Sequence, residues 1–175
     1  QDLILTKCIG LEWSSILAKE KESVIEKKYK ADLINKAKNY DQYLSIIPEA
    51  ATAGKSSVRA MHDISKGGIL GALWEMAERF GVGLEVDLKK IPIRQETVEI
   101  CNHLDINPYE LLSTGSLLLF TENGQEIVNA LEQEGIPAVI VGRTTEGNDR
   151  LIQVDDESRY LTRPGTDELV RFLQD

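Results

Sequence analysis

Apolar residues that recur every three or four positions predict a series of amphipathic helices along the chain. The most regular stripe carries Ile69, Leu73 and Ala77, and Gly81 shortly after it is a typical helix stop. Pro48 suits the first turn of a shorter helix, because its missing N–H would have no partner there. The predicted helices cover residues 12–28, 31–46, 49–55, 69–80, 94–104, 124–133 and 166–173, and one helical turn follows 107–108.

Short apolar runs and alternating patterns between these helices predict strands. Val82, Leu84, Val86 and Leu88 alternate with polar or small residues, as in a strand with one buried face. The polar segment 145–149 is interpreted as a surface hairpin connection between two strands. The predicted strands cover residues 3–6, 58–61, 82–88, 115–120, 138–141 and 151–154.

Strands and helices alternate, which predicts an α/β or α+β fold with one mixed β-sheet flanked by helices on at least one face. A length of 175 residues suits a single domain. We expect residues 1–57 to form a strand and an N-terminal helical segment, and residues 58–175 to form the α/β core. Residues 115–141 are predicted to form a right-handed β-α-β crossover.

Composition argues against several classes of protein. The net charge is −9, from 29 acidic and 20 basic residues, which disfavours a nucleic-acid-binding surface. No apolar run approaches the ~20 residues that a membrane-spanning helix needs, so we expect a soluble cytoplasmic protein without a membrane partner. Cys8 and Cys101 lie outside any metal-binding or redox spacing and are expected to be buried thiols. The chain opens at Gln1, and we expect further sequence before it.

The most informative segment lies between a predicted strand and a predicted helix and reads Met-His-Asp-Ile-Ser-Lys-Gly-Gly from residue 61. The first turn of a helix leaves backbone N–H groups without partners, and the helix dipole adds partial positive charge. Gly67 and Gly68 would let a phosphate oxygen approach these amides, and Lys66 would add a full positive charge. The segment therefore predicts a phosphate-binding loop, with a spacing that matches neither Walker A nor GxGxxG.

Three polar residues before the glycines have competing interpretations. Asp63 and Ser65 are residue types that cap helix N-termini, and we expect one of them to do so. The other interpretation of Asp63 is a ligand for Mg²⁺ beside a phosphate. His62 is a candidate general acid or base, because histidine ordinarily titrates near neutral pH. Its alternative is a strand-end histidine satisfied by backbone hydrogen bonds.

A second candidate segment, Ser113-Thr114-Gly115, precedes a predicted buried strand. Small hydroxyl residues around a glycine expose backbone amides that could meet a ligand. The alternative is a tight turn in which Ser113 and Thr114 bond their own backbone. The residues alone leave both interpretations open.

These segments resemble the C-terminal domain of the aminoimidazole ribonucleotide (AIR) synthase superfamily. The resemblance rests on His62-Asp-Ile-Ser-Lys-Gly-Gly-Ile-Leu-Gly-Ala-Leu-Trp-Glu-Met-Ala-Glu and on Gly81-Val-Gly-Leu-Glu-Val. Three further matches are Leu5-Thr-Lys-Cys-Ile-Gly, Ser113-Thr-Gly-Ser-Leu-Leu and Val141-Gly-Arg-Thr-Thr-Glu-Gly. The pattern His-Asp-x-[Ser/Thr]-x-Gly-Gly is most similar to the branch that contains the hydrogenase-maturation enzymes.

The resemblance implies a larger ATP-dependent enzyme, in which an N-terminal domain absent from this chain binds ATP and Mg²⁺ and forms a homodimer. It implies that Asp63, Ser65, Gly67 and Gly68, with Lys66 beside them, contact phosphate or metal-bound nucleotide. It also implies that Ser113, Thr114 and Gly115 line the same cleft, which receives a small phosphorylated ligand. The chain by itself is then expected to lack turnover and to hold no cofactor tightly.

One departure concerns the carbamoyl dehydratase of this family, which uses a cysteine at its extreme C-terminus, whereas this sequence ends Val170-Arg-Phe-Leu-Gln-Asp. Dehydratase activity on a carbamoylated cysteine is therefore not expected, whereas a different ATP-dependent reaction, in which a carbonyl-type oxygen is activated by phosphorylation and then displaced, is compatible with the family. The competing hypothesis is a non-catalytic interaction or dimerisation module that docks a partner through the helices of residues 12–46, with the two glycines forming only a tight turn.

Overall fold

The computed structural model describes residues 1–163 and 165, and within these residues strands alternate with helices as expected. The strands are β1 (Asp2–Thr6), β2 (Val58–Asp63), β3 (Gly83–Asp87), β4 (Leu117–Thr121), β5 (Ala138–Thr145), β6 (Arg150–Val154) and β7 (Glu157–Tyr160). The helices are α1 (Leu11–Glu20), α2 (Glu22–Ile25), α3 (Ala31–Lys38), α4 (Ile47–Ala53), α5 (Gly68–Phe80), α6 (Gln95–His103) and α7 (Gly124–Gln133). Short 3₁₀ helices cover Asn39–Tyr43 and Leu88–Lys90.

The strands form one mixed sheet in the order β2-β4-β1-β5-β3-β6-β7. Neighbouring strands are antiparallel except β3 and β6, which are parallel. The predicted mixed sheet with flanking helices is therefore confirmed. β4 and β5 run in the same direction, as the predicted crossover through α7 requires. They are not neighbours, however, because β1 lies between them and pairs with both.

Helices pack against both faces of the sheet. On one face, α5 contributes Leu73 to a cluster that includes Phe120 of β4. On the other face, α7 contributes Leu131 to a cluster that includes Leu119 of β4 and is closed by α4. Every residue of β4 is buried, which agrees with the apolar run of its first four residues.

The N-terminal helices build a third cluster beside the sheet. Leu17 of α1 and Ile34 of α3 pack with Ile100 of α6, and all three side chains are buried. The Trp13 ring belongs to the same cluster. The apolar stripes that predict these helices are therefore covered within the chain itself.

Several predicted helix ends differ from the observed ones. The helix predicted over 12–28 is interrupted at Lys21, whose backbone leaves helical geometry. The helix predicted over 31–46 ends at Lys38 and continues as a 3₁₀ helix, which keeps a similar apolar spacing. Residues 108–109 form a turn rather than a helical turn, and the helix predicted over 166–173 lies outside the described residues. No helix within the described residues has the length and apolar character needed to cross a bilayer.

The predicted hairpin at 145–149 is wrong, because β5 and β6 do not pair with each other. Strand β3 lies between them, antiparallel to β5 and parallel to β6. The connection instead passes over the start of β3 at Gly83, where the Leu84 N–H donates to the Asp149 carbonyl at 2.8 Å. A Cβ on Gly83 would lie 2.6 Å from the Asp149 carbonyl oxygen, so the crossing requires glycine. Strand β7, which follows β6 as a true hairpin, was not predicted.

Candidate functional site

The two glycine-containing segments singled out in the sequence lie side by side. They meet at the edge of the sheet where β1 and β2 end and β4 and β5 begin, here called the loop edge. The Ile64 N–H donates to the Ser116 carbonyl at 3.3 Å, and the Ser113 N–H donates to the Ile64 carbonyl at 3.2 Å. The structure therefore brings the Gly67–Gly68 segment and the Ser113–Gly115 segment together.

Gly68 has a packing role at the start of α5. Its φ of +63° lies in the left-handed region, and a Cβ there would lie 2.8 Å from the Glu110 carbonyl carbon and the Leu111 nitrogen. The Leu70 N–H donates to the Tyr109 carbonyl at 3.2 Å. The space that the missing side chain frees is thus occupied by the backbone of residues 109–111. Anion binding by Gly68 remains a prediction, but packing already explains why a glycine stands there.

A cavity borders this helix N-terminus at Lys66, which is exposed, and at Gly67, which is buried. Both residues line this cavity of about 240 Å³ together with Trp74, Glu75 and Arg163. Lys66 is exposed, and the guanidinium of Arg163 lies 5.6 Å from the centre of the Trp74 ring. Two cationic side chains and the Glu75 carboxylate therefore line the cavity beside the positive end of α5.

The expectation that Asp63 or Ser65 caps α5 is wrong. Gly67 occupies the N-cap position with a φ of 82°, and no side chain caps the helix. Asp63 is instead the exposed last residue of β2, and the Gly68 N–H donates to the backbone carbonyl of Ser65 at 3.1 Å. The left-handed glycine turns the chain before either side chain can reach the first helical amides. A cap therefore no longer explains either residue.

Both ring nitrogens of His62 contact neighbouring groups. Its Nδ1 lies 2.5 Å from the Asp63 carbonyl oxygen, and its Nε2 lies 3.2 Å from a carboxylate oxygen of Glu75. These contacts match the strand-end interpretation. In the described part of the chain, no group of three or more His, Cys, Asp or Glu side chains could hold a metal ion. Asp63 is thus a single candidate ligand.

Ser113 and Gly115 make hydrogen bonds and packing contacts within the protein. The Ser113 hydroxyl is buried, accepts the Gly10 N–H at 2.9 Å and donates to the Leu111 carbonyl at 2.8 Å. Gly115 has a φ of +107°, and a Cβ there would lie 3.1 Å from the Leu44 Cα. Thr114 between them is half-buried. The bond to the nearby backbone agrees with the tight-turn interpretation, and the bond to Gly10 ties this turn to the start of α1.

A second cavity at the loop edge was missed by the sequence analysis. It has a volume of about 370 Å³ and is called the Arg94 cavity below. The 3₁₀ helix Asn39–Tyr43 and α4 form one side of it, and the end of β1 forms the other. Its lining consists of Lys7, Cys8, Leu11, Gln42, Tyr43, Ser45, Pro48, Glu49, Arg94, Gly135, Ile136 and Pro137.

The Lys7 side chain connects the end of β1 to the opposite side of this cavity. Its φ of 52° is unusual for a residue with a side chain, and its Nζ donates to the carbonyls of Tyr43 and Ser45 at 2.7 Å each. The same Nζ lies 2.6 Å from Oε1 of Glu49, a side chain that is only 2% exposed. The ammonium has three donors, so these three contacts use all of them.

Arg94 lies at the rim of the cavity. Its guanidinium lies 5.0 Å from the centre of the Tyr40 ring and 5.2 Å from that of Tyr43. Burial raises the pKa of the Cys8 thiol, and the nearby Arg94 charge opposes that rise. Burial and the hydrogen bond to Glu96 raise the pKa of Tyr40, so its hydroxyl stays protonated and donates to Glu96 at 2.5 Å.

No motif or residue spacing in the sequence indicates this cavity. Lys7, Glu49 and Arg94 stand far apart along the chain and belong to no recognised spacing. Only the tertiary structure brings them together: Ile9 forms an isolated bridge with Ile93, next to Arg94, and the Glu49 carboxylate pairs with Lys7. One hint was Glu49 itself, the one charged residue in a short helix of otherwise apolar or small residues.

The family assignment follows from comparison with known proteins. Residues 1–155 match the family model described as AIR synthase related protein, C-terminal domain. The chain belongs to this family. It is 34% identical over 96 residues to carbamoyl dehydratase HypE of Rhodobacter capsulatus, covering 52% of this chain and 28% of that protein. It is 27% identical over 148 residues to phosphoribosylformylglycinamidine synthase subunit PurL of Corynebacterium aurimucosum, covering 80% of this chain and 17% of that one.

Solved structures of the superfamily share the fold. Escherichia coli HypE superposes with a TM-score of 0.78 at 18% identity, covering 98% of this chain and 52% of that one. HypE in complex with ATP gives a TM-score of 0.69 at 15% identity, covering 95% of this chain and 51% of that one. AaThiL complexed with AMPPCP and TMP gives 0.62 at 18% identity, covering 92% and 51%. The chain therefore spans about half the length of these structures and less of the curated relatives.

Proposed function

We propose that this chain is the substrate- and phosphate-binding C-terminal half of an ATP-dependent enzyme, similar to the hydrogenase maturation factors of its family. The loop edge would form one wall of a cleft completed by an N-terminal ATP-binding domain. The half-length match supports this division. The superposition with E. coli HypE includes 98% of this chain but only 52% of the HypE chain. The structures of HypE with ATP and of AaThiL with AMPPCP support nucleotide as the shared ligand.

The observation that carries the proposal is the cavity at the N-terminus of α5. Lys66 and Arg163 supply positive charge there, and the dipole of a 13-residue helix adds to it. A phosphate group on a small ligand would be stabilised by all three. Ser65 and Gly67 would shape the approach, while Gly68, Ser113 and Gly115 would hold the surrounding backbone in place and Thr114 would lie beside them.

ATP and Mg²⁺ fit the described residues only in part. Asp63 is an exposed carboxylate at the end of β2, and one such oxygen donor is a partial magnesium site. The ion would take its other ligands from phosphate oxygens, water and the N-terminal domain. Bound ATP would supply phosphoryl activation of a carbonyl-type oxygen, while Lys66 and His62 would orient the acceptor and hold a proton.

The other parts of the proposal concern the whole protein. We propose that it acts as a cytoplasmic homodimer, that the 175-residue chain alone lacks turnover, and that it binds no cofactor tightly without its N-terminal partner. The competing docking hypothesis gains little from the geometry, since the apolar stripes of α1 and α3 pack against α6. The enzyme interpretation is therefore preferred.

The test is ATP turnover by the full-length enzyme with Lys66 changed to Gln. Loss of one charged contact to phosphate should lower kcat/KM about tenfold. Lys55→Gln is the matched control, because Lys55 is also exposed but lies outside the described cavities. Equal kinetics for both variants and the unmodified enzyme would rule out a phosphate role for this loop.

A further inference from the structure

The Arg94 cavity contains a buried acceptor without a hydrogen-bond partner and a guanidinium that contacts Cys8 and Tyr40 but no carboxylate of the described residues at ion-pair distance. Oε2 of Glu49 is buried and has no hydrogen-bond partner, whereas Oε1 of the same carboxylate is held by Lys7. Arg94 makes no direct ion pair with any carboxylate in the described part of the chain. Buried polar atoms are almost always paired, so an unpaired acceptor in a cavity wall indicates a missing donor.

The charges of the lining indicate a ligand with one negative charge. Lys7 and Glu49 neutralise each other as a close pair, which leaves the positive charge of Arg94. Glu96 lies behind Arg94 and does not line the cavity; burial raises the pKa of its carboxyl, whereas the Tyr40 hydrogen bond and the Lys36 and Arg94 charges lower it. A phosphate monoester carries about −1.5 to −2 charges at neutral pH, whereas a carboxylate carries one. A carboxylate matches the cavity better.

The shape of the cavity agrees with a small organic molecule. A volume of about 370 Å³ lies at the lower end of the usual range for ligand pockets. Leu11, Pro48, Ile136 and Pro137 supply apolar surface, and the Tyr43 ring lies next to Arg94. The guanidinium fork of an arginine is suited to bind both oxygens of a carboxylate.

We propose that the Arg94 cavity binds a small monocarboxylic acid that carries an N–H group, with the carboxylate on Arg94 and the N–H donating to Oε2 of Glu49. The site is separate from the cavity at Lys66 and Gly67, and the proposal does not depend on the function proposed above. N-acylated amino acids and amides of short dicarboxylic acids belong to this chemical class.

Three probes of nearly identical size separate the two contacts. N-acetylglycine carries both the carboxylate and the N–H, levulinate replaces the N–H with a methylene group, and N-acetylglycinamide lacks the carboxylate. We expect N-acetylglycine at millimolar concentration to shift the backbone amide signals of cavity residues such as Cys8 and Ile136 in a ¹⁵N-labelled chain. Each of the other two probes should bind about tenfold more weakly.

Two variants assign the contacts. Arg94→Gln should weaken N-acetylglycine and levulinate equally, by about tenfold, and keep the preference between them. Glu49→Gln should remove that preference, a result that a general disturbance of the fold would not give. Arg159→Gln is the control, because Arg159 is exposed on β7. Thermal unfolding of each variant checks that it is folded.

Three results would overturn the proposal. One is the absence of any shift at cavity residues, which would leave water as the partner of Glu49. Another is a set of shifts confined to other surfaces of the protein. The last is equal binding of the three probes, since a cavity that selects neither the carboxylate nor the N–H is not the site described.

Discussion

The N-terminus of α5 and the Arg94 cavity both lie at the loop edge, but they differ in how far their polar groups are already paired within the protein. At α5, the N–H groups of Gly68 and Leu70 already donate to protein carbonyls, and backbone fills the space beside Gly68. In the Arg94 cavity, a buried carboxylate oxygen of Glu49 lacks a hydrogen-bond partner, and the Arg94 guanidinium contacts Tyr40 and Tyr43 but pairs with no carboxylate in the described part of the chain. A glycine pair before a helix therefore marks tight packing as readily as ligand contact, and a cavity with unpaired groups can be built from residues that share no motif.

The largest expected effect comes from breaking the ion pair that supports the cavity. Lys7→Met would leave the Glu49 carboxylate buried without its counter-charge and should lower the free energy of unfolding by about 4 kcal/mol. Urea denaturation measures this. Lys19→Met is the control, because its pair with Asp41 is exposed on both sides and should be worth at most about 1 kcal/mol. Equal losses for the two variants would show that Lys7 does not support the cavity.

A somewhat smaller effect is expected at the start of α5. Gly68→Ala combines a left-handed backbone with a clash against residues 109–111 and should cost about 3 kcal/mol. Gly81→Ala is closely matched, since Gly81 has a φ of +60° and a Cβ there would meet nothing within 4 Å. It should cost only about 1 kcal/mol of backbone strain. If urea denaturation gives the same loss of unfolding free energy for both variants, close packing does not explain why a glycine stands at position 68.

The turn that joins the two regions should give an intermediate loss. Ser113→Ala removes the acceptor of the buried Gly10 N–H and should destabilise the protein by about 2 kcal/mol. Ser23→Ala, on the exposed side of α2, should change stability by less than about 0.5 kcal/mol. A Ser113→Ala variant as stable as the control would mean that the hydroxyl does not hold the turn against α1.

The smallest effect concerns the Cys8 thiol. Burial raises its pKa and the Arg94 charge opposes this, so Arg94→Gln should raise the pKa further. Less thiolate is then present at any given mildly alkaline pH, and alkylation of Cys8 by iodoacetamide should be slower and shifted to higher pH. Peptide mass spectrometry distinguishes Cys8 from Cys101. An unchanged pH profile would place Arg94 too far from the thiol to act on it.

Much of the fold could be predicted from local patterns. The bounds of α7 agree with the prediction, and the alternation of Leu84 and Val86 matches their burial on β3. The pattern could not show where a helix changes type, because the apolar spacing after Lys38 suits both helical forms. It also could not show strand neighbours, so the chain between β5 and β6 was taken for a hairpin although β3 separates them.

The candidate site could be predicted only where its residues are consecutive. The segment around Gly67 and the segment around Ser113 were found from composition and do lie together at the loop edge. What their glycines contact could not be predicted, because the backbone of residues 109–111 approaches from a distant part of the sequence. The Lys7, Glu49 and Arg94 combination depends wholly on tertiary structure, and burial of a carboxylate cannot be read from sequence.

The crossing of the chain over Gly83 has a consequence for folding kinetics. β5 and β6 are consecutive along the chain, yet β3 lies between them in the sheet, and α6, β4 and α7 separate β3 from both along the sequence. The local β6–β7 hairpin cannot by itself join β6 to β5, because both pairings of β3 require a long loop to close. We therefore expect slow refolding, and an accelerated unfolding rate when any side chain at position 83 obstructs the crossing.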